Sequence, residues 1–222
     1  MDHQLSFDQE LAELKEIVLK MGYIVQDMIQ RSVESLKKQD IRMAEQVITK
    51  GDEVDKLELE IDEKCISLIA LRQPMASDLR FITTGMRIAT DLERIGDLAE
   101  DIAERTLELV DKPHLKPLID IPKMADLAKE ILSMALDSFI NCDSSKAREI
   151  WPKEEQVDKL RDQVQDELIE IMSKDPGAVK RALPLLLVSR HLERICDHAT
   201  NIGEDVVFMV EGKVIKHSGG EV

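Results

Sequence analysis

The chain has 222 residues, a formal net charge of −15 and 43% hydrophobic residues, enough apolar content for one elongated core or two small ones. That charge repels nucleic-acid phosphates, and 3% aromatic residues offer little to stack on bases, so no nucleic-acid partner is expected. No basic-plus-apolar leader is visible and the longest apolar run, Ala182 to Val188, is far short of the roughly 18 to 20 residues that span a bilayer, so a cytoplasmic protein without a transmembrane segment is expected.

From Leu5 to about Lys38, apolar residues recur at three and four (Leu11, Leu14, Ile17, Val18, Met21, Ile24), which predicts one long amphipathic helix. Asp40 suits an N-cap, and a second helix is predicted from about Ile41 to Ala70 through Val47, Val54, Leu57, Ile61 and Leu68, with Gly51 as a possible bend. Pro74 suits a first turn, and a third helix is predicted from about Met75 to Val110. Residues 111–122 hold Pro113, Pro117 and Pro122 and no periodic pattern. The plan then repeats over about Lys123 to Asn141, Ser144 to Ser173, and Pro176 to about Val210, with a kink expected at Pro184. Val54, Asp55, Lys56 and Leu57 recur as Val157, Asp158, Lys159 and Leu160, which places the second helices of the two halves in register.

No alternating β-branched pattern occurs, and short connections force neighbouring helices to alternate in direction. The expected fold is all-α: two tandem, similar, antiparallel three-helix bundles. Residues 1–112 form the first, 113–122 a linker, 123–211 the second, and 212–222 a frayed tail. Cys65, Cys142 and Cys196 show no metal-ligand spacing and are expected to be small buried residues in a reducing compartment.

The third helices carry the chemistry. Residues 91–104 read DLERIGDLAEDIAE and residues 191–204 read HLERICDHATNIGE, aligned without a gap. At about 100° per residue, Glu93, Asp97, Glu100, Asp101 and Glu104 share one arc while Leu92, Ile95, Leu98, Ala99 and Ile102 share the opposite one, so the acids are expected to face outward. Like charges at i,i+4 cost about 0.2 to 0.5 kcal/mol per pair. A hard cation bound by several carboxylate oxygens would offset that repulsion. A solvated face is the competing reading, and the second copy of the stripe is the argument for the cation. Asp52 and Asp55, with their counterparts Glu155 and Asp158, read first as solvated acids and second as able to complete such a site.

Other chemistries lack their apparatus. A di-iron bundle site needs Glu-x-x-His, but Gly96 and Cys196 stand three residues after Glu93 and Glu193. His191 and His198 lie well around the helix from Glu193 and are expected to be packing or surface residues. Phosphate-binding, nucleophile-elbow and metalloprotease motifs are absent, and no catalytic residue is assigned.

The duplicated E-R-I-x-D-x-A-x-[DN]-I segment, with Q-P-M-A-S-D-L-R at Gln73 to Arg80, resembles the PhoU family of phosphate-signalling regulators over essentially the whole chain. The resemblance implies a pair of three-helix bundles with metal clusters on the acidic segments. Carried onto this sequence, the metal positions are Glu93, Asp97 and Asp101 in the first half and Glu193, Asp197 and Asn201 in the second, where Asn201 replaces an acid and Thr200 stands opposite Glu100. It implies divalent or trivalent ions (iron, manganese, magnesium or zinc), a homodimer, and two partners at the inner face of the membrane: a phosphate-specific ABC transporter and a phosphate-sensing histidine kinase. The implied role is a non-enzymatic negative regulator of phosphate uptake and phosphate-regulon signalling. A metal-dependent phosphoesterase using the surface carboxylates is the alternative.

Overall fold

In the computed structural model, which describes residues 2–215 and their side chains from Phe7 onward, the apolar periodicity becomes helix throughout. The first half contains α1 (Asp2–Lys38), α2 (Ile41–Arg72) and α3 (Ala76–Leu109). The second contains α4 (Asp120–Asn141), the short α5 (Ser144–Arg148), α6 (Trp151–Lys174) and α7 (Val179–Glu211), with a 3-10 turn at Pro176–Ala178. No strand occurs among the described residues, and the two halves are similar antiparallel three-helix units.

Local chemistry sets the ends. Asp40 caps α2, its carboxylate accepting from Met43 N at 3.1 Å. Asp143 does the same for α5 with the backbone amides of Ser145 and Lys146. Three expectations are corrected. The single helix over Ser144 to Ser173 is interrupted at Glu149 and Ile150, because Pro152 lacks the amide that would bond back to residue 148 and its ring crowds that carbonyl; it is accommodated in the first turn of α6. The linker ends earlier than expected, since α4 starts at Asp120 with Pro122 in its first turn. Pro74 lies before α3 instead of inside it: Gln73 closes α2 in the left-handed conformation (φ 48), its amide bonding Ile69 O. Pro184 lies inside α7, whose helix continues through it.

The helices α1, α3, α7 and α4 pack successively on one another and back onto α1, forming a central four-helix ring. On one flank α2 lies against α1 and α3; on the other, α6 lies against α4 and α7. α3 and α7 run antiparallel where the halves meet: Arg80 Nε donates to Met209 O, Arg87 pairs with Asp205, and Asp91 bonds His198. The Phe81 and Phe139 rings stack with centroids 4.9 Å apart, tying α3 to α4.

One continuous core fills both halves, with Leu14, Met21, Ile88, Leu92, Ile95, Ile102, Leu132, Phe139, Leu192 and Ile195 all inaccessible to solvent. Burying each such side chain stabilises by about 1.5 to 3 kcal/mol, which anchors α3 and α7 rigidly beneath their acidic segments. Cys65 and Cys196 are buried in this core as expected. Cys142 is not: it is exposed at the left-handed C-cap of α4 (φ 51), where the chain has left the helix face that packs inward. Gly212 closes α7 (φ 70) and Ile215 is buried; of the expected frayed tail, residues 216–222 lie outside the described residues. No helix among the described residues is long and apolar enough to cross a membrane.

Candidate metal centre

The acidic arc of α3 borders the seam with α2 instead of standing clear of the protein. Leu92, Ile95, Leu98, Ala99 and Ile102 face the core as the helical wheel requires. Asp97 and Glu104 are exposed, but Glu93 and Glu100 are half-buried, because α2 covers one edge of the arc. A wheel drawn for one helix does not contain its neighbour.

What gathers on this seam is Asp55 of α2 with Glu93 and Asp97 of α3, each of which brings one carboxylate oxygen within 4.8 Å of the other two. An ion with metal–oxygen distances of about 2.1 to 2.5 Å spans oxygen pairs up to about twice that, so the three fit one hard cation. Glu93 supplies the sharper evidence. Its Oε2 is buried and makes no hydrogen bond, with Arg94 Nε approaching only to 3.4 Å. Burial, then the charge of Asp97, pushes the Glu93 carboxyl above its ordinary range. A buried carboxylate oxygen without a donor is costly unless a proton or a cation meets it. Arg94 also reaches Asp97 at 3.4 Å, but its side chain is 57% exposed and lies on the rim.

Asp101 does not fall in this group. Its carboxylate faces α7, with His191 Nδ1 3.8 Å away. Glu104 pairs with Arg105 at 3.0 Å. Glu100 turns onto α2 above Gly51, where a Cβ would stand 1.8 Å from Glu100 Oε1. Gly51 therefore makes room for a carboxylate. Glu100 is pushed up to about 7, by burial first and by Asp97 and Asp55 next.

The second seam, between α6 and α7, is built differently. Where α2 carries Glu58, the register of the repeat gives α6 Arg161, and its guanidinium lies between the helices with 18% of the side chain exposed. Arg161 Nη1 reaches Glu193 Oε1 at 2.5 Å and Asp158 Oδ1 at 3.3 Å, and Nη2 reaches Asp162 Oδ1 at 2.8 Å. Burial alone would lower the Arg161 pKa, but its bonds to Asp162 and Glu193 outweigh that and raise it. Asp197 is exposed, its carboxyl raised by partial burial and by Glu193 and Asp158; Asn201 is half-buried. Glu154 of α6 stands where α2 has Gly51 and faces Thr200, the counterpart of Glu100. Burial and Asp197 push it up to about 7 against the opposing influence of the Thr200 hydroxyl.

The histidines belong to the meeting of the halves. His198 Nδ1 lies 2.9 Å from Asp91 Oδ1, and burial lowers the pKa of His191. Neither stands among Asp55, Glu93 and Asp97, so that group has no imidazole for general acid or base work. The Gln73 to Arg80 segment forms the α2–α3 turn and the start of α3, and Arg80 is committed to Met209. Asp55 and Arg161 are the site residues that the sequence underweighted. The repeated VDKL register marks both once its partners on the third helices are known.

Comparison with known proteins bears on the family and the fold. The PhoU domain family model matches residues 18–106 and 121–206. The phosphate-specific transport system accessory protein PhoU homolog of Aquifex aeolicus is 44% identical, over 94% of this chain and 95% of its own length. The PhoU homolog 2 of Thermotoga maritima is 39% identical, over 94% of this chain and 89% of its own. The crystal structure of PhoU from Pseudomonas aeruginosa superposes with a TM-score of 0.89 at 34% identity, covering 93% of this chain and all of that one. The phosphate transport system regulatory protein PhoU from Streptococcus pneumoniae superposes at 0.88 with 31% identity, over 95% of this chain and 99% of that one. The chain belongs to the PhoU family, and its two halves are two PhoU domains.

Proposed function

We propose that the protein is a regulatory adaptor of phosphate transport, restraining phosphate uptake and phosphate-regulon signalling by contact with other proteins and without turnover. The observation that carries this reading is the whole-length relationship to phosphate transport accessory proteins, with both PhoU domains present. On this reading the partners are the phosphate-specific ABC transporter and the phosphate-sensing histidine kinase, met at the inner face of the membrane by a cytoplasmic homodimer.

A metal ion is part of the proposal. Asp55, Glu93 and Asp97 would hold it, and the all-oxygen donor set favours magnesium, manganese or iron over zinc. A cation there would neutralise the buried Glu93 oxygen and reverse the local charge that the α2–α3 seam presents to a partner. The chain's own contribution is positional: the packed core holds Glu93 and Asp97 one turn apart, and α2 brings Asp55 across to them. The phosphoesterase alternative gains no support. The acids have no imidazole beside them, and the half-buried Arg161 is already paired with three carboxylates.

Deletion of the gene, with no second copy present, tests the role. The expected outcome is phosphate-regulon expression and phosphate uptake that continue in phosphate-rich medium, partly reproduced by Glu93→Gln with Asp97→Asn. Normal repression in the deletion strain, or robust phosphatase turnover by the purified protein with added metals, would overturn it.

A further inference from the structure

We propose that Arg161 is a built-in counter-ion that closes the α6–α7 seam to metal, so that metal uptake by this chain is confined to Asp55, Glu93 and Asp97. The inference rests on the metal reading above for the first seam. It concerns the residues that make the second seam unlike it.

The two seams share a frame. Asp55 and Asp158 match on the outer helices, and Glu93 and Asp97 match Glu193 and Asp197 on the inner ones. They differ at the position between them. Glu58 in the first seam adds an acid and accepts a hydrogen bond from Thr90 Oγ1 at 3.2 Å. Arg161 in the second adds a cation, which moves the local formal charge by two units in the positive direction.

Geometry makes that cation a substitute and not a bystander. A metal ion would need the inward-facing oxygens of Glu193 and Asp158, and the Arg161 guanidinium already lies against both, at 2.5 Å and 3.3 Å. In the first seam the corresponding oxygen, Glu93 Oε2, has no hydrogen-bond partner. No Glu193 oxygen is left in that condition among the described residues. Arg94, the cation near the first seam, is no equivalent: its closest approaches to Glu93 and Asp97 are 3.4 Å and it can swing into water from the rim. Arg161 is held from both sides, its Nε and Nη2 both donating to Asp162 Oδ1 while Nη1 reaches across to α7. A guanidinium cannot lose its proton in this setting, so no accessible pH vacates the seam. One further exchange, Thr200 for Glu100, acts in the same direction, and Glu154 restores one acid.

The test is titration of the full-length protein with Mn²⁺, reading the free ion by electron paramagnetic resonance and the fold by circular dichroism. In the parent, Glu93→Gln with Asp97→Asn should abolish binding while Asp197→Asn leaves it unchanged. Arg161→Gln should add about one further Mn²⁺ per chain, and that gain should vanish when Asp197→Asn is combined with it. A reciprocal variant covers the case in which Arg161→Gln does not fold: Glu58→Arg should weaken Mn²⁺ binding at the first seam by about tenfold or more. Loss of Mn²⁺ from the parent on Asp197→Asn, a folded Arg161→Gln that gains none, or a folded Glu58→Arg with parental affinity would each overturn the proposal. If the parent takes up no Mn²⁺ but Arg161→Gln does so through Asp197, the first-seam reading fails and the role of Arg161 stands. If neither binds, both fail.

Discussion

In the first half the carboxyl buried at the outer seam comes from α3, as Glu100 above Gly51; in the second it comes from α6, as Glu154 facing Thr200. Burial pushes both up to about 7. The same spot in the two halves thus holds a protonatable acid supplied from opposite helices, one glycine or one threonine making room for it. The seams part company two turns along, where Glu58 adds an acid and Arg161 answers the acids. A duplicated fold has kept the placement of a buried carboxyl while changing which residue delivers it, and has balanced the remaining charge in two ways.

The harshest way to break this comparison is by metal-induced stabilisation. An ion at about 100 times its Kd stabilises by about 2.7 kcal/mol, or roughly 5 to 10 °C in melting temperature for a chain of this size. Excess Mn²⁺ should raise the melting temperature of the parent by that order. Glu93→Gln with Asp97→Asn should erase the rise, and Glu193→Gln with Asp197→Asn should retain it. Equal loss in both variants would make the seams equivalent.

Protonation sharpens what the seams share. Glu100 and Glu154 sit at about 7 against an ordinary value of 4.5, so the folded chain keeps protons that the unfolded chain releases between those pH values. Their contribution is full below the unfolded pKa and is lost as pH rises through the folded one. His191, with its pKa lowered by burial, works the other way: its contribution is present above 6.5 and lost as pH falls through its folded value. Glu93 and Asp197 are raised in the same direction, so four carboxyls oppose one imidazole, and the melting temperature in chelator should fall by a few degrees from about pH 5 to about pH 8. Glu100→Gln with Glu154→Gln should flatten the decline, and a slope unchanged by that pair would show that neither acid is buried as described.

The smallest effect is the most local. Gly51→Ala gains about 1 kcal/mol of helix propensity, but its Cβ meets Glu100 Oε1, which must turn aside. The two effects oppose, so unfolding in urea should register a net change within about 1 kcal/mol. The part of the pH slope owed to Glu100 should disappear, and a slope kept intact would mean that Gly51 is not what shelters that carboxyl.

Much of this was readable in the residues. Apolar spacing located the six long helices, and the alignment of Leu92 to Glu104 with Leu192 to Glu204 exposed the duplication. The break at Pro152 leaves no mark in the apolar series, which runs from Ala147 before it to Val157, Val164 and Leu168 after it. Asp55 was ambiguous for a deeper reason: spacing places a residue on its own helix but not across the gap to a neighbour, so nothing in the α2 pattern distinguishes an acid facing Glu93 from one facing water. Arg161 was invisible on the same ground. Its role depends on how closely α6 approaches α7 and where a long side chain turns.

The closed circuit of α1, α3, α7 and α4 places α2 and α6 on opposite flanks. In the language of linkage it is an insulator between two electrical compartments. Energies of substitutions that share no partner and lie far apart add, so changes at Asp55 and Asp158 should sum without an interaction term. Most of the contact between the compartments lies where α3 meets α7, with α4 on α1 the lesser route, and the charged pairs across the larger layer are Arg87 with Asp205, Asp91 with His198 and Asp101 with His191, all joining α3 to α7. Measured coupling between the compartments would therefore gauge how firmly those two helices are clamped.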